Sequence, residues 1–368
     1  MLEVRVKRLQ TLMVNKNLDY TVIMPGPNMH YFTDLDFHLS ERPILALFPQ
    51  KGEPALIVPG FESFKATEGA NALPWQLFTW SDETGPELAF AACAEALQLS
   101  GKQVGAETLG LRLKEYQLLT THAPTIDIVS ADSLIATMRQ IKDAEEIARM
   151  RRAVVMAEET LAEVLPKIKV GMTEKAVAAE LMVALLKAGS GPLPFEPLVQ
   201  TGATGATPHA HSSDRQLAEG DLLIIDFGAT FKGYASDITR TFAVGEISER
   251  AKEVYNLVKQ ANAAGRQAAK PSITCQAIDR ATRTVIDEGD HGEYFIHRTG
   301  HGLGLEAHEP PFIVEGDKTI LEPGMTFTVE PGIYMQGVGG VRIEDDVVIT
   351  DTGVESLTTF SRDLITVG

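Results

Sequence analysis

The stretch that most constrains this chain is Leu222-Leu223-Ile224-Ile225-Asp226-Phe227-Gly228-Ala229-Thr230-Phe231-Lys232-Gly233-Tyr234-Ala235-Ser236-Asp237. Apart from Asp226, Leu222–Phe227 is apolar without polar alternation, which suits a strand covered on both faces. Lys232-Gly233 supplies a hairpin turn. With the turn centred near Phe231 and Lys232, Asp226 and Asp237 stand opposite one another or one diagonal apart, where like charges repel. Uncompensated buried carboxylates stay protonated or are costly to ionise, so a cation shared by the two acids is the simplest remedy. The spacing alone also fits two solvated turn acids, and the rest of the chain decides between the two.

A length of 368 residues accommodates two domains with substantial cores. The formal net charge of -17 argues against nucleic acid or an anionic membrane as partner, because both demand basic patches. Cys93 and Cys275 lie far apart without CxxC spacing, so neither a disulfide framework nor a thiolate metal site is expected. The first residues lack the apolar core of a signal peptide, and no apolar run reaches about 18 residues. A cytoplasmic location, away from membranes, is the expectation.

Residues 1–133 read as a small α/β domain: a helical pattern at 4–16, a strand at 20–24, and two strands within 43–58 separated by Gln50-Lys51-Gly52-Glu53. His30, His38 and His122 show no ligand spacing, while the loop 33–42 gathers Asp34, Asp36, His38, Glu41 and Arg42. A second domain, 134–368, opens with a long amphipathic helix on Ile147, Met150, Val154, Ala157, Leu161 and Leu165. Thr173 caps a second helix that Gly189 closes. A similar helix pair returns about a hundred residues later, at 248–269 and from Thr274 to Gly289, which hints at internal duplication around a cleft. Helices on one side of antiparallel strands make this domain α+β.

Further on, glycines flank His301 in Thr299-Gly300-His301-Gly302-Leu303-Gly304, letting backbone approach closely and presenting one imidazole. The segment 325–330 alternates as a strand with Thr326, Thr328 and Glu330 on one face, ended by Pro331-Gly332. The segment 341–346 reads as another strand, with Arg342 and Glu344 on the face opposite Ile343. In this order Asp226, Asp237, His301, Glu330 and Glu344, with Tyr234-Ala235-Ser236-Asp237, Gly300-His301-Gly302, Val329-Glu330-Pro331-Gly332 and Val341-Arg342-Ile343-Glu344-Asp345, strongly resemble the metal-binding pattern of the creatinase-like, pita-bread metallopeptidases.

Four carboxylates and one imidazole suit hard to borderline divalent ions such as Mn, Co or Zn, and two such ions balance four negative charges. The resemblance implies that Asp226 serves the first ion, His301 and Glu330 the second, and that Asp237 and Glu344 bridge. It further implies catalytic or substrate contacts for His209 and His308, and a site lined by Tyr334 and Arg342. His211 has no assigned part. The N-terminal domain favours the prolidase and aminopeptidase P branch, hence hydrolysis of the Xaa-Pro bond at peptide N-termini, with a homodimer whose loop 33–42 lies near the other subunit's cleft. Water activated at the site attacks the Xaa carbonyl, Glu330 shuttles a proton to the proline nitrogen, and His209 and His308 support the oxyanion. An Xaa-Pro dipeptidase is the first expectation, and an aminopeptidase P-like enzyme on longer peptides the alternative. Many prolidases carry an arginine just after the His-Glu pair, where this chain has Pro310-Pro311; Arg298, Arg342 or a partner's Arg42 would then hold the dipeptide carboxylate. A non-catalytic peptide- or protein-binding relative, which would have lost ligands, and a non-peptidase hydrolase such as creatinase are the remaining readings.

Overall fold

A computed structural model describes residues 2–68, 73–208 and 210–368, and the chain packs as two units, Met1–Met138 and Arg139–Gly368. The change of domain expected at Ser133 falls inside the helix Asp132–Arg139, whose chain leads out of the first unit.

The first unit is built on a six-stranded sheet. Its strands are β1 (Tyr20–Ile23), β2 (Leu45–Pro49), β3 (Ala55–Pro59), β4 (Gln76–Trp80), β5 (Gln103–Ala106) and β6 (Asp127–Ser130). Their order is β4-β3-β2-β1-β5-β6, with β1–β2 and β2–β3 antiparallel and the other pairs parallel. β2 and β3 are buried throughout, and Gly52 takes the positive φ of 106° in the turn between them. The helix Leu2–Asn15 turns Leu2, Val6, Leu9 and Met13 inward at the spacing of a single helix face.

The second unit starts with the helix Ala144–Val164, closed at its N-terminus by a capping box in which Asp143 and Glu146 each accept from the other's backbone. Met150, Val154, Ala157 and Leu161 are buried on its inner face, following the period read from the sequence. Thr173 accepts from the Ala176 N–H at 3.1 Å and starts the helix Glu174–Lys187. Glu249–Ala268 and Cys275–Glu288 form the second helix pair. Thr274 has N-cap dihedrals there but, unlike Thr173, no side-chain cap bond.

Against these helices lie β7 (Leu198–Thr201), β8 (Leu222–Phe227), β9 (Thr230–Phe231), β10 (Tyr234–Ala235) and β11 (Ile238–Val244). They are followed by β12 (Gly300–Gly302), β13 (Glu309–Ile313), β14 (Thr326–Val329), β15 (Gly332–Met335), β16 (Gly339–Arg342), β17 (Asp345–Ile349), β18 (Val354–Ser356) and β19 (Thr366–Val367). One sheet runs β19-β11-β8-β7 and another β13-β12-β14-β17-β18. Each contains an antiparallel trio, β7-β8-β11 and β12-β14-β17, so the duplication suggested by the helices extends to the strands.

β8 is central in its sheet and packs Leu223, Ile225 and Phe227 against Leu161, Leu181 and Leu185. Burial on both faces explains why it shows no alternation. The hairpin β9–β10 turns through Lys232 and Gly233, with φ of 48° and 83°, as a type I′ turn requires. The turn is therefore centred between these two residues, one position later than Phe231-Lys232. Asp226 consequently pairs with Thr239, and Asp237 sits one diagonal away rather than directly opposite.

Two other strand expectations need correction. The segment 325–330 is strand only over Thr326–Val329; Glu330 leaves it, because its N–H turns to the Thr299 carbonyl at 2.8 Å and Pro331 has no N–H to continue a ladder. The segment 341–346 is two strands: β16 pairs with β15, then the chain crosses sheets at Ile343 and Glu344, where the Glu344 N–H donates to the Thr239 carbonyl at 3.1 Å, before β17 joins β14.

Candidate metal centre

Strand exits converge in the second unit on a cavity of about 310 Å³. Asp226, Asp237, His301, Glu330 and Glu344 all line it. The first two come from the β8–β11 hairpin. Asp237 is fixed through its backbone N–H, which donates to Asp346 Oδ2 at 3.0 Å. Glu344 is held by Thr239, whose hydroxyl donates to Glu344 Oε2 at 2.6 Å.

His301 owes its place to its neighbours' lack of side chains. A Cβ on Gly300 would lie 1.9 Å from the Thr328 carbonyl oxygen, and one on Gly302 would lie 2.5 Å from that of Pro310. The His301 N–H donates to Thr328 Oγ1 at 3.1 Å, and Nδ1 faces the Gly302 carbonyl at 3.1 Å. A carbonyl only accepts, so Nδ1 carries a proton, and Nε2 points into the cavity. There Nε2 lies 3.2 Å from Glu330 Oε1 and 3.8 Å from Asp237 Oδ2.

The donor atoms fall into overlapping groups, each within 4.8 Å: Asp226, Asp237 and Glu344; His301, Glu330 and Glu344; and Asp237, His301 and His308. Glu344 belongs to the first two, and Asp237 to the first and third. Burial, then the charges of Glu344, Asp226, Asp346 and Glu330, push Asp237 well above the usual carboxylate range. Burial and the charges of Glu330 and Asp226 do the same to Glu344. Burial also acts on Glu330, but the His301 hydrogen bond and neighbouring positive charge outweigh it and bring this acid to about 2. Asp237 Oδ1 is buried without a hydrogen-bond partner. A crowded set of carboxylate oxygens with one imidazole nitrogen and an orphaned oxygen fits divalent cations, which satisfy lone pairs and repulsion together.

Among the other expected residues, Arg342 is buried and fully engaged. It binds Asp226 Oδ2 at 2.6 Å, Tyr334 Oη at 2.9 Å, Thr239 Oγ1 at 3.2 Å and the Pro208 carbonyl at 3.4 Å. Burial raises Tyr334 to about 12 against the lowering effect of Arg342. His308 is exposed, lines the cavity, and sets its ring edge-on to His301 with centroids 4.0 Å apart. His211 also lines the cavity. His209 lies outside the described residues. Arg298 stacks on Phe312, with Cζ 4.6 Å from the ring centroid, and Arg42 in the first unit is paired with Asp82 at 2.9 Å.

Two features escaped the sequence. His297 lines the cavity and receives the Tyr334 hydroxyl at Nε2, 2.9 Å away, because its Nδ1 is committed to the Arg298 carbonyl. Its place four residues before His301 was the available signal. The loop that carries His308 is tied by buried charges: Glu309 accepts from Lys142 Nζ at 2.6 Å and from Arg139, which also pairs with Glu306 at 2.7 Å. Gly304 lies so close that a Cβ would come within 2.9 Å of both Glu309 Oε1 and Lys142 Cε.

The chain is similar to known proteins along nearly its whole length. An Xaa-Pro dipeptidase of Pyrococcus horikoshii is 35% identical over 362 residues, spanning 98% of each chain. The solved prolidase of Thermococcus sibiricus superposes with a TM-score of 0.94 at 33% identity, covering 100% of this chain and 99% of that one. An X-Pro aminopeptidase of Thermotoga maritima gives 0.86 at 30% identity, covering 98% and 99%. Residues 5–141 match the creatinase/prolidase N-terminal domain and residues 148–351 match Metallopeptidase family M24. The expected α+β architecture, a smaller N-terminal domain before a pita-bread domain, is borne out, and the chain belongs to metallopeptidase family M24.

Proposed function

We propose that the chain is a metal-dependent exopeptidase that cleaves the Xaa-Pro bond at peptide N-termini, foremost as an Xaa-Pro dipeptidase. The observation that carries this reading is the pair of donor groups sharing Glu344 inside one cavity, in a chain whose relatives at this similarity are named Xaa-Pro dipeptidases and prolidases. Asp226, Asp237, His301, Glu330 and Glu344 are the ligand set for two divalent ions drawn from Mn, Co and Zn. Such ions supply Lewis-acid polarisation of the scissile carbonyl and a more acidic water.

The side chains do the rest. An Xaa-Pro bond lacks an amide N–H and leaves as a secondary amine that must gain a proton. The Glu330 carboxylate, steadied by Thr328 Oγ1 at 3.2 Å, takes the proton of the attacking water and returns it to that nitrogen. His308, together with His209, stabilises the charge that develops on the carbonyl oxygen. Arg342 and Tyr334 form the floor that keeps Asp226 oriented. The N-terminal unit limits substrate access and contributes to a homodimer, and the site is cytoplasmic.

A second reading, an Xaa-Pro aminopeptidase on longer peptides, is favoured by one feature. Arg342 is bonded through Nε and both terminal nitrogens and Arg298 is not among the residues that line the cavity, so neither is ready to clamp the free carboxylate of a dipeptide. A substrate-length series decides: a dipeptidase turns over Xaa-Pro faster than Xaa-Pro-Yaa, and equal or better cleavage of the tripeptide overturns that label.

A further inference from the structure

One wall of the cavity holds an acid outside the ligand set. Pro194, Phe195, Glu196 and Leu198 line it on the approach to β7, and Leu198 is register partner to Asp226. Pro194 packs against the hairpin, since a Cβ on Gly228 would come within 2.9 Å of Pro194 Cγ. This segment therefore stands beside the metal ligands rather than at a distant rim.

The other cavity carboxylates are engaged: Asp226 with Arg342, Asp237 and Glu330 with His301, and Glu344 with Thr239. Among the described residues the Glu196 carboxylate has no hydrogen bond or ion pair, and the residue is exposed while lining the cavity. Glu196 is thus the acid of the lining with no cation at hydrogen-bond distance among the described residues. Its neighbours Phe195 and Leu198 are apolar. A flexible chain of methylenes ending in a cation matches both properties, laying its stem on the ring and its charge on the acid.

Resting on the Xaa-Pro peptidase reading above, we propose that Glu196 is a specificity-determining residue that favours substrates with a lysine or arginine side chain at the Xaa position. The acid selects a side chain, not the α-ammonium group common to every substrate.

The test compares kcat/KM for Lys-Pro and for its uncharged near-isostere norleucyl-proline, using the metal-loaded full chain. Glu196→Gln lowers the Lys-Pro to norleucyl-Pro ratio by about threefold to tenfold, the range expected for one ion pair in a partly open cavity. Glu196→Lys moves the preference towards Glu-Pro. Calorimetric titration of the products L-lysine and L-norleucine follows the same order, with lysine alone losing affinity in Glu196→Gln. An equal loss for both substrates assigns Glu196 to the α-ammonium and overturns the proposal, as does an unmoved ratio. If the wild type cleaves neither peptide, the peptidase reading falls and this inference with it; cleavage of both with an unmoved ratio removes the inference alone.

Discussion

Replacing Lys142 by Met isolates what the buried charges beneath the His308 loop contribute. The Lys142 side chain is 2% exposed, Glu309 4%, and their oppositely charged atoms are 2.6 Å apart. Methionine keeps the length and much of the volume, so the packing term is small. Removing one partner of a buried pair costs about 3–5 kcal/mol, and Arg139 still neutralises Glu309, which selects the lower end, about 3 kcal/mol. For a unit of this size that lowers the melting temperature by about 6–12 °C. Unfolding in urea with chelator present, followed by circular dichroism, measures the loss without any contribution from bound ions. Adding Glu309→Gln to Lys142→Met strands the buried Arg139 guanidinium beside the half-exposed Glu306 and lowers stability further. The pH dependence carries a sign as well. Despite burial, Lys142 and Arg139 hold Glu309 below the usual carboxylate range, so its stabilisation is complete above that range and lost as pH falls through the depressed folded value. Lys142→Met flattens that acid limb. A loss under about 1 kcal/mol with no further loss in the double variant refutes the assignment of this cluster as a buried, charge-balanced support.

Asp237→Asn lowers the content of both ions, whereas Asp226→Asn lowers mainly one, as read by metal analysis after dialysis; matching single-ion losses count against Asp237 as the shared ligand. Chelation makes stability depend on alkaline pH: Asp237 and Glu344, raised by burial and mutual repulsion, retain protons in the folded chain that the unfolded chain releases above about pH 4. The chelated protein therefore loses stability as pH rises from there towards the raised values, and divalent ions restore more at pH 8 than at pH 5. Urea midpoints that are equal at both pH values, with and without ions, contradict this.

The residues that were legible from sequence obey local rules. Lys232-Gly233 sets the hairpin, the flanking glycines mark His301, and the unbroken apolar run marks β8, each within a few positions of the residue it concerns. What remained hidden depends on distant partners. Lys142 meets Glu309 across 167 residues, and Arg342 meets Asp226 across 116. The offset of Asp237 from Asp226 turns on a one-residue shift in the turn, and the break at Ile343-Glu344 exists because the chain changes sheets there, which alternation cannot reveal. His297 gave a weak signal for the same reason: its meaning comes from Tyr334, on another strand.

The duplication accounts for the arrangement of the acids. In each antiparallel trio one acid stands at the exit of the middle strand, Asp226 on β8 and Glu330 just after β14. Another stands just before the third strand, Asp237 before β11 and Glu344 before β17. Thr239 of the first half binds Glu344 of the second through both its carbonyl and its hydroxyl, which brings the two sets of acids together. The halves then diverge. β12 contributes the His301 imidazole, while Asp226 of the first half is tied to the Arg342 guanidinium. One donor group is thus all oxygen beside a fixed positive charge, and the other includes nitrogen with, among the described residues, no arginine bound to its carboxylates. In the two-ion site proposed above, unequal ion affinity is the outcome expected from this asymmetry, with the group containing His301 and Glu330 tighter for imidazole-preferring ions and the Asp226 group the more readily emptied.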